Sequence, residues 1–167
     1  MTFIKDRSSK LILITLSIFV LLVGVAGWVG ATEKTHVNGT SMAPTLDNGQ
    51  SIILNTYAYT YGDVEFGDIV VVHPEGHKQY VKRIVGLPGD TITFKNNQLY
   101  RNGAPLNDFH SKEVRSKMGT PDNEGAWDVS LKADEYYVLS DNLHNTVDSR
   151  IFNAVDKEDI LGKVIIH

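Results

Sequence analysis

Cysteine is absent from the 167-residue chain. That excludes disulfides, thiolate metal sites and a cysteine nucleophile. It leaves the compartment open, because a cysteine-free domain tolerates reducing and oxidising surroundings alike. A basic excess is missing too. Sixteen Lys and Arg stand against twenty Asp and Glu, intermixed along the chain, for a net charge of -4. No arginine-rich block supplies the electrostatic footprint of a nucleic-acid binder, so nucleic acid is not an expected partner. Internal repeats and low-complexity blocks are also lacking. What remains is enough chain for one modest domain beside its N-terminal segment.

Charge itself disappears over residues 11–31, LILITLSIFVLLVGVAGWVGA. At about 1.5 Å per residue, about twenty such residues cross a hydrocarbon core of about 30 Å, so a single transmembrane helix is expected here. Lys5, Arg7 and Lys10 precede it against Asp6 alone, whereas Glu33 and Lys34 cancel after it. The positive-inside bias keeps residues 1–10 cytoplasmic and places residues 32–167 outside. The expectation is a single-pass protein of the cell membrane, with the lipid bilayer as a partner. Trp28 lies near the outer end, where an indole favours the interface. The alternative is a cleavable secretory signal ending near Gly30-Ala31-Thr32, but a signal's apolar region usually runs about 7–15 residues. Either way the rest of the chain is exported.

Helical periodicity is lacking beyond residue 35, where apolar residues alternate or form short runs. Ser51-Ile52-Ile53-Leu54-Asn55 is a strand candidate, and Asp68-Ile69-Val70-Val71-Val72-His73 a stronger one. Pro74-Glu75-Gly76 makes a turn, and residues 79–85 return as the hairpin partner. Further strands are expected at 91–94, 98–100, 135–139 and 162–166. Residues 107–130 are polar and contain Gly119, Pro121 and Gly125. They read as a long surface insertion with a short helix near 111–117. Residues 156–160 can add one helical turn. The sum is a mainly β domain of short antiparallel strands on a membrane tether.

Three segments can carry chemistry. Ser41 lies between Gly39 and Pro44, in a turned and exposed backbone, but a serine hydroxyl is a poor nucleophile until a base takes its proton. Six histidines are available (His36, His73, His77, His110, His144, His167), none with an acidic partner that sequence alone defends as a triad. Lys82 interrupts the apolar run Tyr80-Val81…Ile84-Val85. Desolvation disfavours an ammonium and lowers its pKa, as a lysine base near neutral pH requires. In the third segment, Ser140-Asp141-Asn142-Leu143-His144-Asn145-Thr146-Val147-Asp148-Ser149-Arg150, Asp148 and Arg150 can pair, while Thr146 or Ser149 can orient a neutral lysine. Each has an ordinary alternative: a turn serine, a strand lysine pointing to water, a solvated connection. His73 and His77 are four apart, yet Pro74 and Gly76 deny them the helix that would aim both at one metal. No metal is expected.

Together the segments resemble the type I signal peptidases, membrane-anchored Ser-Lys proteases of the S26 kind, from the apolar span to the end of the chain. Residues 37–46 resemble the nucleophile box and 67–71 the strand box after it. Tyr80-Val81-Lys82-Arg83-Ile84-Val85-Gly86-Leu87-Pro88-Gly89-Asp90 is similar to the lysine box, and residues 140–150 to the closing box. The resemblance implies Ser41 as nucleophile and Lys82 as general base. Thr146 would position the lysine, and Asp148 with Arg150 would brace the loop. Asp141, Ser149 and Arg83 would give further support. No cofactor is implied. The substrate would be the signal peptide of an exported preprotein, with small residues such as Ala-x-Ala before the cut. It would be bound in extended form along His36, Val37, Gly39, Thr40, Gln79, Tyr80 and Val81.

Three departures stand out. Thr146 replaces a common serine but keeps the hydroxyl, so its role is expected to survive. Ser140 occupies a usual glycine position, where a positive φ would strain it. Gly39 stands where some members carry a serine that aids the oxyanion hole, which leaves more of that work to the Ser41 N–H. Glycine there, the single span and the small domain resemble the enzymes of Gram-positive bacteria. Two other functions compete. One is a catalytically silent relative that binds exported proteins or assists secretion. The other is a Ser-Lys self-cleaving regulator, which would carry a DNA-binding module in place of a span.

Overall fold

The computed structural model describes residues 3–30, 32–95, 98–106, 127–142 and 146–165, with side chains in the first segment described over 9–24. Helix α1 (Phe3–Gly30) is followed after one residue by β1 (Thr32–His36). At about 1.5 Å per residue, 28 residues of helix span about 42 Å. From Leu11 to Val23 its large apolar side chains are all more than half exposed. Among the described residues no helical stretch is itself long and apolar enough to cross a membrane.

Every strand pairing among the described residues is antiparallel. The chain continues through β2 (Ser51–Asn55), the helical turn α2 (Ala58–Tyr61), β3 (Ile69–Val72) and β4 (Tyr80–Gly86). Next come β5 (Thr91–Lys95), β6 (Gln98–Arg101), β7 (Ala104–Pro105), β8 (Trp127–Ser130) and β9 (Glu135–Leu139). The last elements are α3 (Ser149–Phe152), β10 (Val155–Asp156), a 3-10 turn (Lys157–Asp159) and β11 (Ile160–Ile165). Seven strands form one sheet in the order β1-β2-β11-β3-β4-β9-β10, and four form a second in the order β7-β6-β5-β8. The expected hairpin is the β3–β4 pair, with Val70 opposite Lys82 and Val71 opposite Val81.

The pleat explains the core. Ile69 and Val71 pack on one face of the large sheet with Ile52, Leu54 and Val164, while Val70 and Val72 pack on the other with Ile84, Val138 and Val155. All four β3 residues are buried, so this central strand reads as an unbroken apolar run instead of alternating. A third cluster (Val85, Ile92, Phe94, Leu99, Leu131, Tyr137, Leu139) joins the small sheet to the large one. A Cβ on Gly86 at that junction would stand 2.7 Å from a Leu131 methyl, so the Leu131 side chain would have to shift to admit it.

Parts of the expected architecture need correction. Residues 127–130, assigned to a surface insertion, form β8 on the open side of β5; the short helix expected at 111–117 lies outside the described residues. Residues 32–36, given no strand, pair along their whole length with β2. Ser140 is also unstrained. The non-glycine residues at positive φ among those described are Asn102 and Asn153, and Ser140, directly after β9, donates its N–H to Asp148 Oδ2 at 3.1 Å.

Candidate active site

Ser41 sits in a turn that the core holds from below. Met42 and Leu46 are fully buried against Val37, Ile52 and Val71, and each such side chain contributes about 1.5–3 kcal/mol by leaving water. The turn closes on itself through Ala43 N–H to Thr40 O (3.1 Å) and Leu46 N–H to Met42 O (2.9 Å). On its N-terminal side Gly39 adopts φ +104° and donates its N–H to Asn48 Oδ1 at 2.8 Å. That backbone region is hostile to side chains, which accounts for glycine where a serine would otherwise be possible.

Lys82 reaches Ser41 from β4. Its Nζ donates to Ser41 Oγ at 3.2 Å and to Val81 O at 2.8 Å. It also lies 5.3 Å from the centre of the Tyr80 ring, which stacks on Phe152. Lys82 is 1% exposed and stands across from the fully buried Val70. Burial pushes its pKa from 10.5 down to about 8. The Asp148 and Asp141 carboxylates pull upward against burial, whereas Arg150 assists it. The lysine is therefore poised to exist in part as the neutral amine near physiological pH.

Two arginine–carboxylate forks frame the pair. Asp148, fully buried, accepts Arg150 Nε on Oδ1 and Nη2 on Oδ2, both at 2.7 Å, and caps α3 by accepting Arg150 N–H. Asp141 accepts Arg83 Nε at 2.8 Å and Nη2 at 2.6 Å, and Arg83 Nη1 donates to Gly67 O at 2.8 Å. Lys82 and Arg83 are consecutive, so the strand turns one toward Ser41 and the other toward the closing loop.

The two hydroxyls expected to orient the lysine do other things. Thr146 Oγ1 donates to Asp148 Oδ2 at 3.3 Å and accepts from Arg150 Nη2 at 3.1 Å. Ser149 Oγ accepts the Val138 N–H at 2.9 Å, pinning α3 to β9. Among the described residues, the groups that hold Lys82 Nζ by hydrogen bonds are Ser41 and the Val81 carbonyl.

A cleft of about 170 Å³ opens beside the pair. Thr35, His36, Val37, Asn38, Val71, Gln79, Tyr80 and Val81 line it beside Ser41 and Lys82, whereas Gly39 and Thr40 do not. Val71 was hidden from sequence reasoning because it belongs to β3 and reaches the site only through its register with Val81. A larger hollow of about 700 Å³ near α2 is lined by Thr56, Tyr59, Thr60, Asp134, Asp156, Lys157, Glu158 and Ile160. Asn142 was also missed. Its N–H donates to Ser41 O at 2.8 Å and its Nδ2 to Thr40 O at 3.1 Å, a contact across a hundred residues that no local pattern announces.

Known proteins share this arrangement of chain. The family described as signal peptidase, peptidase S26, matches residues 9–167. Signal peptidase I P of Bacillus subtilis subsp. natto is 40% identical over 138 residues, 78% of this chain and 73% of that protein. Signal peptidase IB of Staphylococcus aureus is 32% identical over 164 residues, 91% of this chain and 85% of its own. A crystal structure of a signal peptidase I from Enterococcus faecalis V583 superposes with a TM-score of 0.50 at 25% identity, covering 62% of this chain and 98% of that one. The chain belongs to the signal peptidase family, peptidase S26.

Proposed function

We propose that the protein is a membrane-anchored serine endopeptidase that removes signal peptides from exported preproteins, with Ser41 as nucleophile and Lys82 as general base. The observation that carries this reading is the buried Lys82 amine 3.2 Å from the Ser41 hydroxyl. In the reactive state the neutral amine accepts the Ser41 proton as Oγ attacks the scissile carbonyl. The developing oxyanion is met by the Ser41 N–H. The protonated lysine then gives its proton to the leaving amine, and water resolves the acyl-enzyme by the same route in reverse.

Arg150 keeps the Asp148 carboxylate from holding the lysine charged, and Thr146 acts on the base through these two groups. The substrate lies extended between residues 35–38 and 79–81. A cleft of about 170 Å³ is well below the roughly 300–1,000 Å³ that admits drug-sized ligands, which suits small side chains before the cut. Helix α1 is the anchor. Residues 11–31 carry no charge, and an apolar helical surface so exposed is stable when lipid covers it. Residues 32–167 then face the outside, and the bilayer supplies both enzyme and substrate in fixed orientation.

Cleavage of an Ala-x-Ala preprotein by the full chain in lipid, abolished by Ser41→Ala, tests the assignment. Undiminished cleavage by that variant would remove Ser41 from the chemistry. No cleavage by the unaltered chain would leave an anchored binding domain.

A further inference from the structure

A carbonyl and the N–H of the next residue belong to one rigid peptide plane and point in opposite directions when the bond is trans. The Thr40 carbonyl and the Ser41 N–H form such a unit; the cis bond in this turn is the later Ala43-Pro44. Two donors converge on the Thr40 oxygen, Asn142 Nδ2 and the Ala43 N–H, each at 3.1 Å. The Asn142 N–H additionally holds the Ser41 carbonyl at 2.8 Å. Both carbonyls that flank the nucleophile's own backbone are therefore gripped from the side of the closing loop. The Ser41 N–H must face away from that loop, and among the described residues it donates to no main-chain carbonyl. The cleft is lined by Ser41, by residues 35–38 at the end of β1, by Val71 on β3 and by residues 79–82 at the start of β4, with none from 140–142.

We propose that Asn142 is a positioning residue for the oxyanion contact: its side-chain amide, by fixing the Thr40 carbonyl, aims the Ser41 N–H at the place where negative charge develops on the substrate. The proposal rests on the serine mechanism above. The main-chain bond to Ser41 O survives substitution at 142 by alanine or serine, so the side-chain bond to Thr40 can be removed while that one stays. The hydroxyl–amine pair is reached through Oγ instead of the peptide plane, and the base keeps its surroundings.

The test is steady-state cleavage of an Ala-x-Ala preprotein by the full-length chain in lipid, for Asn142→Ala and for Asn142→Ser, whose hydroxyl is too short to reach Thr40. Loss of an oxyanion donor costs about 10²–10³ in kcat, and a donor left in place but poorly aimed should cost less, about 10- to 100-fold. The expected result is that fall in kcat with KM within about twofold, an unmoved pH midpoint and an unchanged melting temperature. Full activity in both variants would overturn the proposal. So would a loss of rate that comes only with a raised KM, a shifted pH midpoint or a lowered melting temperature. Ser41→Ala, run alongside, separates the two claims: if it still cleaves, the serine mechanism falls; if it is silent while the Asn142 variants are intact, only the positioning role falls.

Discussion

Replacing Lys82 by Met should make the protein more stable in mild acid while destroying activity, and the size of the gain should depend on pH. The drop in the lysine pKa from 10.5 to about 8 means that the folded state resists protonating a group the unfolded chain protonates readily. Below about pH 8 folding carries the full penalty; between 8 and 10.5 the penalty fades; above 10.5 it is gone. At about 1.36 kcal/mol per pKa unit, it amounts to about 3.4 kcal/mol at pH 6.5 and about 2 kcal/mol at pH 9. Methionine of similar length carries no charge, but it forfeits the bond to Val81 O, worth about 1 kcal/mol. Lys82→Met should therefore exceed the unaltered protein by about 2 kcal/mol at pH 6.5 and lose about 1.4 kcal/mol of that lead by pH 9. Denaturant unfolding of both proteins across this range measures the difference directly, since other titrations cancel between them. A gap that stays constant or widens with rising pH would refute the argument that burial holds the amine toward neutrality.

Other outcomes follow from the same geometry. Cleavage should climb with pH to a plateau above about 8, where Lys82 is neutral, and Lys82→Arg should be as inactive as Lys82→Ala, since a guanidinium stays protonated; a flat rate from pH 6 to 9 would count against an amine base. Arg150→Ala strips the fork from the buried Asp148, so unfolding free energy should fall by about 3–5 kcal/mol. The surviving folded enzyme should need higher pH for half-maximal rate, because the Asp148 charge, no longer offset by Arg150, then favours the ammonium; a midpoint that moved downward would contradict this sign. Gly39→Ala places a side chain at φ +104° and should cost about 1–3 kcal/mol, read as a lower denaturation midpoint.

Much of the sheet was legible because its interior strands are hydrophobic. β2, β3, β4, β5, β6, β9 and β11 all carry alternating or continuous apolar residues. The four strands that escaped notice are β1, β7, β8 and β10, and these are the four edges of the two sheets. An edge strand pairs on one side only and tolerates polar residues on both faces, as Thr32-Glu33-Lys34-Thr35-His36 does, so no periodicity betrays it. The site divides in a similar way. Ser41, Lys82, Asp148 and Arg150 were singled out through the resemblance of their segments to the family boxes, since residue chemistry alone left each with an ordinary alternative. Asn142 and Val71 act through a long-range backbone contact and a sheet register, which exist only after folding.

The closing segment also sets how the enzyme would fail. Its described residues, 140–142 and 146–150, supply the grip on the Ser41 turn, the carboxylate that holds Arg83 and the Ser149 hydroxyl that accepts the Val138 N–H. Peeling away that short stretch dismantles all three connections together, although the central strands beneath it remain paired. Catalytic output is then a gauge of one local opening, with heat inactivation setting in below the temperature at which the sheets themselves come apart.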